Sequence, residues 1–160
     1  MAEKAYKYRI YPNKAQRELI SKTFGCCRFV YNKYLAKRIE LYEENKEAFS
    51  YVQCANDMKK LKSELEWLKE VDSTALQSSL KDLDMAYKNF FKSHNGFPKF
   101  KSKKAHRYSY KTKYVNGNIA YCGKHIKLPK LGLVKTRDKQ IPQGRILNAT
   151  VSQEPSGKYY

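Results

Sequence analysis

The chain has 160 residues, with 33 Lys/Arg against 15 Asp/Glu and a formal net charge of +18. That length holds one ordinary domain or two small ones sharing an interface. The charge exceeds what solubility requires and implies a polyanionic partner, either nucleic acid or an anionic membrane surface. No apolar run reaches the roughly 18 residues of a spanning helix, and the N-terminus lacks a signal-peptide core. A basic amphipathic helix lying on a membrane stays open, although the charge is not concentrated on a helix. Residues 1–95 carry a net of +5, whereas residues 96–160 carry 15 Lys/Arg and only Asp138 and Glu154, a net of +13.

In chain order, residues 5–11 alternate, with Tyr6, Tyr8 and Ile10 on one face and Lys7 and Arg9 on the other. This predicts a half-buried strand with a basic outer face. Asn13 and Gln16 have capping-box spacing and open a helix bearing Leu19, Ile20 and Phe24, which Gly25 is expected to break or bend. A second helix is predicted over 28–46. Tyr31, Leu35, Ile39 and Tyr42 form its apolar face, and Lys33, Lys37, Arg38, Glu40, Glu43 and Glu44 form its solvent face. Helix, break, helix fits a helix-turn-helix, and fits any two helices of a small bundle equally.

Ser50 and Gln53 repeat the box and open a third helix with Met58, Leu61, Leu65 and Leu68 as its stripe. Asp72 or Ser73 caps a fourth, where Leu76, Leu80, Leu83, Tyr87 and Phe90 recur at helical intervals. Glu64, Glu66, Glu70 and Asp72 gather at the connection. Solvated helix ends and a cap account for them, and nothing nearby completes a paired-carboxylate active site. No catalytic residue is assigned.

Residues 96–104 alternate rings and cations around Pro98: Phe97, Lys99, Phe100, Lys101, Lys103 and Lys104. The stretch reads as a return from the helices whose rings pack at a junction and whose lysines face outward toward phosphates. Beyond it, Tyr108, Tyr110, Thr112 and Tyr114 fall on one face of a strand and Arg107, Ser109, Lys111 and Lys113 on the other. Asn116-Gly117 predicts a two-residue hairpin. Short strands follow at Ile126–Leu128, Leu133–Thr136 and Arg145–Gln153, which suggests a small barrel. The first strand has no helical partner and is expected to pair with this sheet. Leu147–Gln153 and the turn at Pro155-Ser156-Gly157 leave only three residues to return, which predicts an open edge and the front part of a longer protein.

Cys26, Cys27, Cys54 and Cys122 include no C-x-x-C pair, and His94, His106 and His125 are scattered. They read as reduced, buried or half-buried thiols of a cytosolic protein, without a metal site or cofactor.

Tyr6–Asn13, Arg28–Asn32, Ala86–Phe91, Gly96–Lys101 and Leu128–Gly132, in that order, resemble the N-terminal region of TnpB (OrfB) proteins, the "probable transposases" of certain insertion sequences. The resemblance implies an α+β fold: a small wedge-type β-barrel with a four-helix, helix-turn-helix-like recognition lobe inserted after the first strand. Its parts would be the first strand at 1–12, the lobe at 13–95, a basic joint at 96–106 and the rest of the barrel at 107–160.

The resemblance also implies a transposon-derived guide RNA and a target DNA as partners, acting in the cytoplasm on the nucleoid. The DNA-motif surface would include Tyr51, Ala55, Ser73, Thr74, Gln77 and Asn116. Gln can read adenine in a bidentate manner, and Tyr can pack on a thymine methyl. The cations for the nucleic-acid backbone are Lys7, Arg9, Lys99, Lys101, Lys103, Lys104, Arg107, Lys111 and Lys113. Family members continue into a RuvC-like nuclease with three metal-binding acids and a zinc element. Divalent metal and zinc are therefore expected outside these residues, and no nuclease activity is expected of this chain alone. Two other readings stay open. One is a protein that needs a separate RuvC-like half, and the other is a regulator that occupies DNA without cutting.

Overall fold

The computed structural model describes residues 3–93, 96–105 and 108–160, and in it three α-helices lie between the first strand and five later ones. The order is β1 (Ile10–Tyr11), α1 (Lys14–Asn45), α2 (Tyr51–Glu64), α3 (Ser73–Ser93), β2 (Tyr108–Lys113), β3 (Ala120–Tyr121), β4 (His125–Leu128), β5 (Gly132–Thr136) and β6 (Asn148–Gln153). Short 3-10 segments occupy Glu66–Glu70 and Lys103–Ala105. The mixed helix-and-sheet reading holds, and the helices are inserted after the first strand.

The two helices expected on either side of Gly25 are one, so the lobe has three helices rather than four. Asn13 closes a complete capping box with Gln16, and α1 then runs unbroken until Lys46 turns it off in a left-handed conformation at φ 55°. Glycine inside a helix costs about 1 kcal/mol relative to alanine, a cost that burial on either side can override. Here Ile20, Phe24 and Cys27 continue into Val30, Tyr31, Tyr34 and Leu35 as one buried stripe. That stripe also corrects two placements. Arg38, expected in solvent, is buried and reaches Asp84 of α3 at 3.4 Å, while Tyr42, expected in the core, is 58% exposed. Tyr34 is fully buried, and its hydroxyl donates to Asp57 of α2 at 2.7 Å, as does Lys37 at 3.0 Å.

Ser50 and Gln53 form the second capping box. Met58, Leu61 and Leu68 are buried beside Leu76, Leu80 and Leu83 of α3, as their spacing predicted.

The strands make two antiparallel groups, in the orders β1-β5-β4-β3 and β2-β6. β1 pairs with β5 through Ile10↔Thr136 and Tyr11↔Lys135, so the first strand does join the C-terminal sheet. Only two of its expected seven residues are in the ladder. Just upstream, side chains from beyond β5 take the backbone instead: Asp138 accepts the Arg9 N–H at 2.7 Å, and the Thr136 hydroxyl donates to the Arg9 carbonyl at 2.8 Å.

No closed barrel forms among the described residues. The Asn116-Gly117 turn is present, with φ of 51° and 74°, yet it does not join a hairpin, because β2 pairs with β6 and β3 with β4. Asn118 explains this. Its side chain donates to the Lys113 carbonyl and accepts from the Val115 N–H, occupying groups that a hairpin ladder would use. The open edge expected after β6 is also corrected. Tyr159 bridges both Gln153 and Ile10, so residues 158–160 lie between β6 and β1 and link the two groups.

Cys26, Cys27 and Cys54 are free and buried, whereas Cys122 is exposed. Burial, with Cys26 close by, pushes the Cys27 thiol up to about 12, so it stays protonated at neutral pH.

A Cβ at Gly25 would meet only the Arg28 guanidinium, at 3.8 Å. Gly25→Ala is therefore expected to stabilise the protein by about 0.5–1 kcal/mol in urea denaturation. A turn at this position would give the opposite sign.

Candidate nucleic-acid interface

The helices meet the sheet at one buried carboxylate. Asp72, 5% exposed, precedes α3 and accepts from the Thr74 N–H and hydroxyl, each at 3.0 Å, and from the Thr112 hydroxyl of β2. The Lys113 N–H donates to the Thr74 hydroxyl at 3.3 Å. Asp72 is thus the cap of α3 and also its tie to β2, while Glu70 reaches out to Lys22. The four acids at this connection do not converge, and among the described residues no group of three His, Cys, Asp or Glu could hold a metal ion.

This junction decides the fate of several predicted contacts. Thr74 is engaged in holding the fold, and neighbouring Ser73 is exposed. Gln77 is exposed one turn further along α3, and Asn116 is exposed at the turn beyond β2. On α2, Tyr51 is half-buried with the Lys81 ammonium 5.8 Å from its ring, and Ala55 packs against the core. α2 and α3 rise by the same 1.5 Å per residue. If they run in opposite directions, the Tyr51–Lys81 contact puts Ala55 level with Gln77.

The joint is held by packing and by a clamp. Pro98 is buried, and Phe97 meets Tyr87 and Phe90 edge-on at 5.4 and 5.3 Å. Phe100, expected to pack beside Phe97, is 56% exposed. Asn32 of α1 grips the backbone of Lys101 from both sides, accepting its N–H at 2.7 Å and donating to its carbonyl at 2.9 Å. The Lys101 ammonium rests 4.3 Å from the Tyr31 ring centre. Lys99, Lys103 and Lys104 are exposed, as are Lys111 and Lys113 on β2, opposite buried Tyr110 and Thr112. Arg107 lies outside the described residues.

At β1 the cations sit among rings. Lys7 lies 4.3 Å from the centre of Tyr160 and pairs with Glu154, and Arg9 stacks on Tyr11 at 4.9 Å. Two open grooves lie on α1, one lined by Lys14, Arg17 and Lys22, the other by Arg28 and Lys33. The sequence reading left these cations out, because the expected break at Gly25 hid that they share a face.

A helix-turn-helix domain family, HTH_OrfB_IS605, matches residues 1–47. The protein named "Putative RNA-guided DNA endonuclease InsQ" of Escherichia coli (strain K12) is 37% identical over 161 residues, covering 98% of this chain. The chain belongs to the OrfB (TnpB) family. A "Putative RNA-guided DNA endonuclease" of Streptomyces pristinaespiralis is 33% identical over 99% of this TnpB-family chain. The chain spans 39% and 40% of the length of these two relatives. "Virulence protein VsdF" of Salmonella dublin is 35% identical over 62% of the chain and 93% of its own length. Residues 14–45 of this TnpB-family chain form one helix without a turn, although they fall within the helix-turn-helix match.

Thr112→Val would leave one oxygen of the buried Asp72 carboxylate without its donor. A loss of about 1.5–3 kcal/mol is expected from urea denaturation midpoints, against less than about 0.5 kcal/mol for Ser73→Ala at the exposed neighbour.

Proposed function

We propose that these residues form a nucleic-acid-binding unit that grips a transposon-derived guide RNA and helps read a short transposon-adjacent motif on target DNA. The carrying observation is the layout of charge: residues 96–160 hold a net of +13, and Lys99, Lys103, Lys104, Lys111 and Lys113 among them are exposed. Cations on a strand face and a joint suit a phosphate backbone. The names of the two long relatives support RNA and DNA as the two ligands.

In this reading residues 1–12 and 107–160 act as a wedge-like sheet, 13–95 as a recognition lobe and 96–106 as the joint between them. Gln77, with Tyr51 and Ala55 on α2, is the centre of motif reading, and Asn116 borders it. Lys7, Arg9, Lys101 and Arg107 complete the backbone contacts. The unit works in the cytoplasm on the nucleoid. It does not cut by itself, and cleavage needs a carboxylate cluster and divalent metal supplied by further polypeptide. A second reading, binding without cutting, draws support from VsdF, 93% of whose length aligns with this chain.

Guide-RNA titration of the purified chain should show affinity falling roughly 10³-fold between low and moderate salt for about six phosphate contacts. Binding that is weak or indifferent to salt would refute the proposal. Replacing Lys99, Lys101, Lys103 and Lys104 together by Ala should weaken RNA binding about tenfold or more and leave Tm nearly unchanged, while Phe97→Ala should do the reverse. Magnesium-dependent, guide-directed cleavage by these 160 residues alone would contradict the non-cutting assignment.

A further inference from the structure

The unbroken α1 aligns cations that a break at Gly25 would have separated. Lys14, Arg17, Ser21, Lys22, Gly25, Arg28, Asn32 and Lys33 share the side of the helix opposite its buried stripe, since a step of three or four residues returns to the same face. Glu18 is the one acid on that face before Lys33, and Glu70 reaches across to Lys22. Beyond Lys33 the character reverses, and Glu40, Glu43 and Glu44 are exposed along the rest of the helix. At the reversal point Asn32 holds the joint through Lys101, which brings Lys99, Lys103 and Lys104 alongside.

We propose that this face is a backbone track for double-stranded nucleic acid, running along α1 from Lys14 to Asn32 and leaving the helix there onto the joint. The proposal rests on the nucleic-acid reading above and adds the surface, the strandedness and the path. At 1.5 Å per residue the track is about 27 Å long, which matches roughly eight base pairs at 3.4 Å each.

Strandedness follows from what the face lacks. Single strands are held by rings on which bases stack, yet the ring within the track, Phe29, turns its face to Trp67 at 5.0 Å. Lysine and arginine without base-reading amides contact phosphates and position the duplex rather than specify its sequence. An anionic membrane fits poorly, because a membrane-surface helix buries its apolar side in lipid and the apolar side of α1 is the protein core. The acids past Lys33 would repel a polyanion that continued straight, so the path turns where Asn32 clamps the joint.

The test is salt-dependent binding of the whole chain to a DNA duplex, an RNA stem and a single strand of the same sequence, with anionic phosphatidylserine vesicles as a further arm. In a variant carrying Lys14→Gln, Arg17→Gln, Arg28→Gln and Lys33→Gln, duplex affinity should drop about tenfold or more, and the log–log salt slope should shrink by about 3.6. Single-strand binding should change less than twofold. Ser21→Arg, a gain of charge mid-track, should tighten duplex binding and steepen the slope by about 0.9. The DNA and RNA arms identify which duplex is preferred, and preference for either supports the track.

Unchanged duplex binding by the fourfold variant while the parent binds nucleic acid would overturn the track alone. So would an equal loss of single-strand binding, or a Ser21→Arg variant no tighter than the parent. Vesicle binding that falls with the fourfold variant while duplex binding does not would replace nucleic acid by membrane. A parent chain that binds no nucleic acid would overturn the functional reading as well. Far-UV circular dichroism and Tm matching the parent exclude misfolding, and a fourfold variant that fails this check leaves the decision to Ser21→Arg.

Discussion

A buried carboxylate is costly unless every lone pair it turns inward meets a donor. Asp72 meets that condition only because α3 and β2 are in place together. A threonine hydroxyl has one proton to give. Thr74 gives its proton to one oxygen of Asp72 and Thr112 gives its own to the other, and the Thr74 oxygen stays free to accept from Lys113. The first turn of α3 and the far end of β2 are thereby fixed to each other. Everything between them, including the joint and its lysines, is a loop with both ends anchored. Asn32 then pins that loop to α1 at Lys101.

The same economy of acids runs through the whole chain. Asp57 ties α2 to Tyr34 and Lys37 of α1, Asp84 ties α3 to Arg38, Asp138 takes the backbone of Arg9, and Glu154 meets Lys7. Acids placed between elements are spent on internal hydrogen bonds, where charge-assisted contacts are strongest. The cations have no such duties in equal number, so they accumulate outside. A net of +18 is then a surface property more than an interior one.

What the sequence disclosed was local. Both capping boxes, the alternation of β2 and the apolar intervals of α2 and α3 follow from spacing over a few residues. The pairing of β1 with the distant sheet followed from the absence of any other partner. The failures share a cause in tertiary context. Gly25 lowers propensity without ending α1, because burial from Ile20 to Leu35 outweighs one glycine. Asn116-Gly117 turns the chain as expected, but Asn118 and the claim of β6 on β2 decide who pairs. Splitting α1 in thought also scattered Lys14, Arg17, Arg28 and Lys33 over two helices, which hid their common face. Thr74 passed as a surface residue, since no local pattern reveals a partner 38 positions away.

The seam at β1 has a consequence for biosynthesis. Ile10 pairs with Thr136 on one side and Tyr159 on the other, so its partners emerge from the ribosome long after it does. At about 5–20 residues per second, the first strand waits on the order of ten seconds while the helices behind it can already pack. During that interval Tyr6, Tyr8 and Ile10 are an uncommitted strand edge, and the basic residues interleaved with them, Lys7 and Arg9, discourage two nascent chains from pairing there. The same two cations thus guard the newborn chain against aggregation.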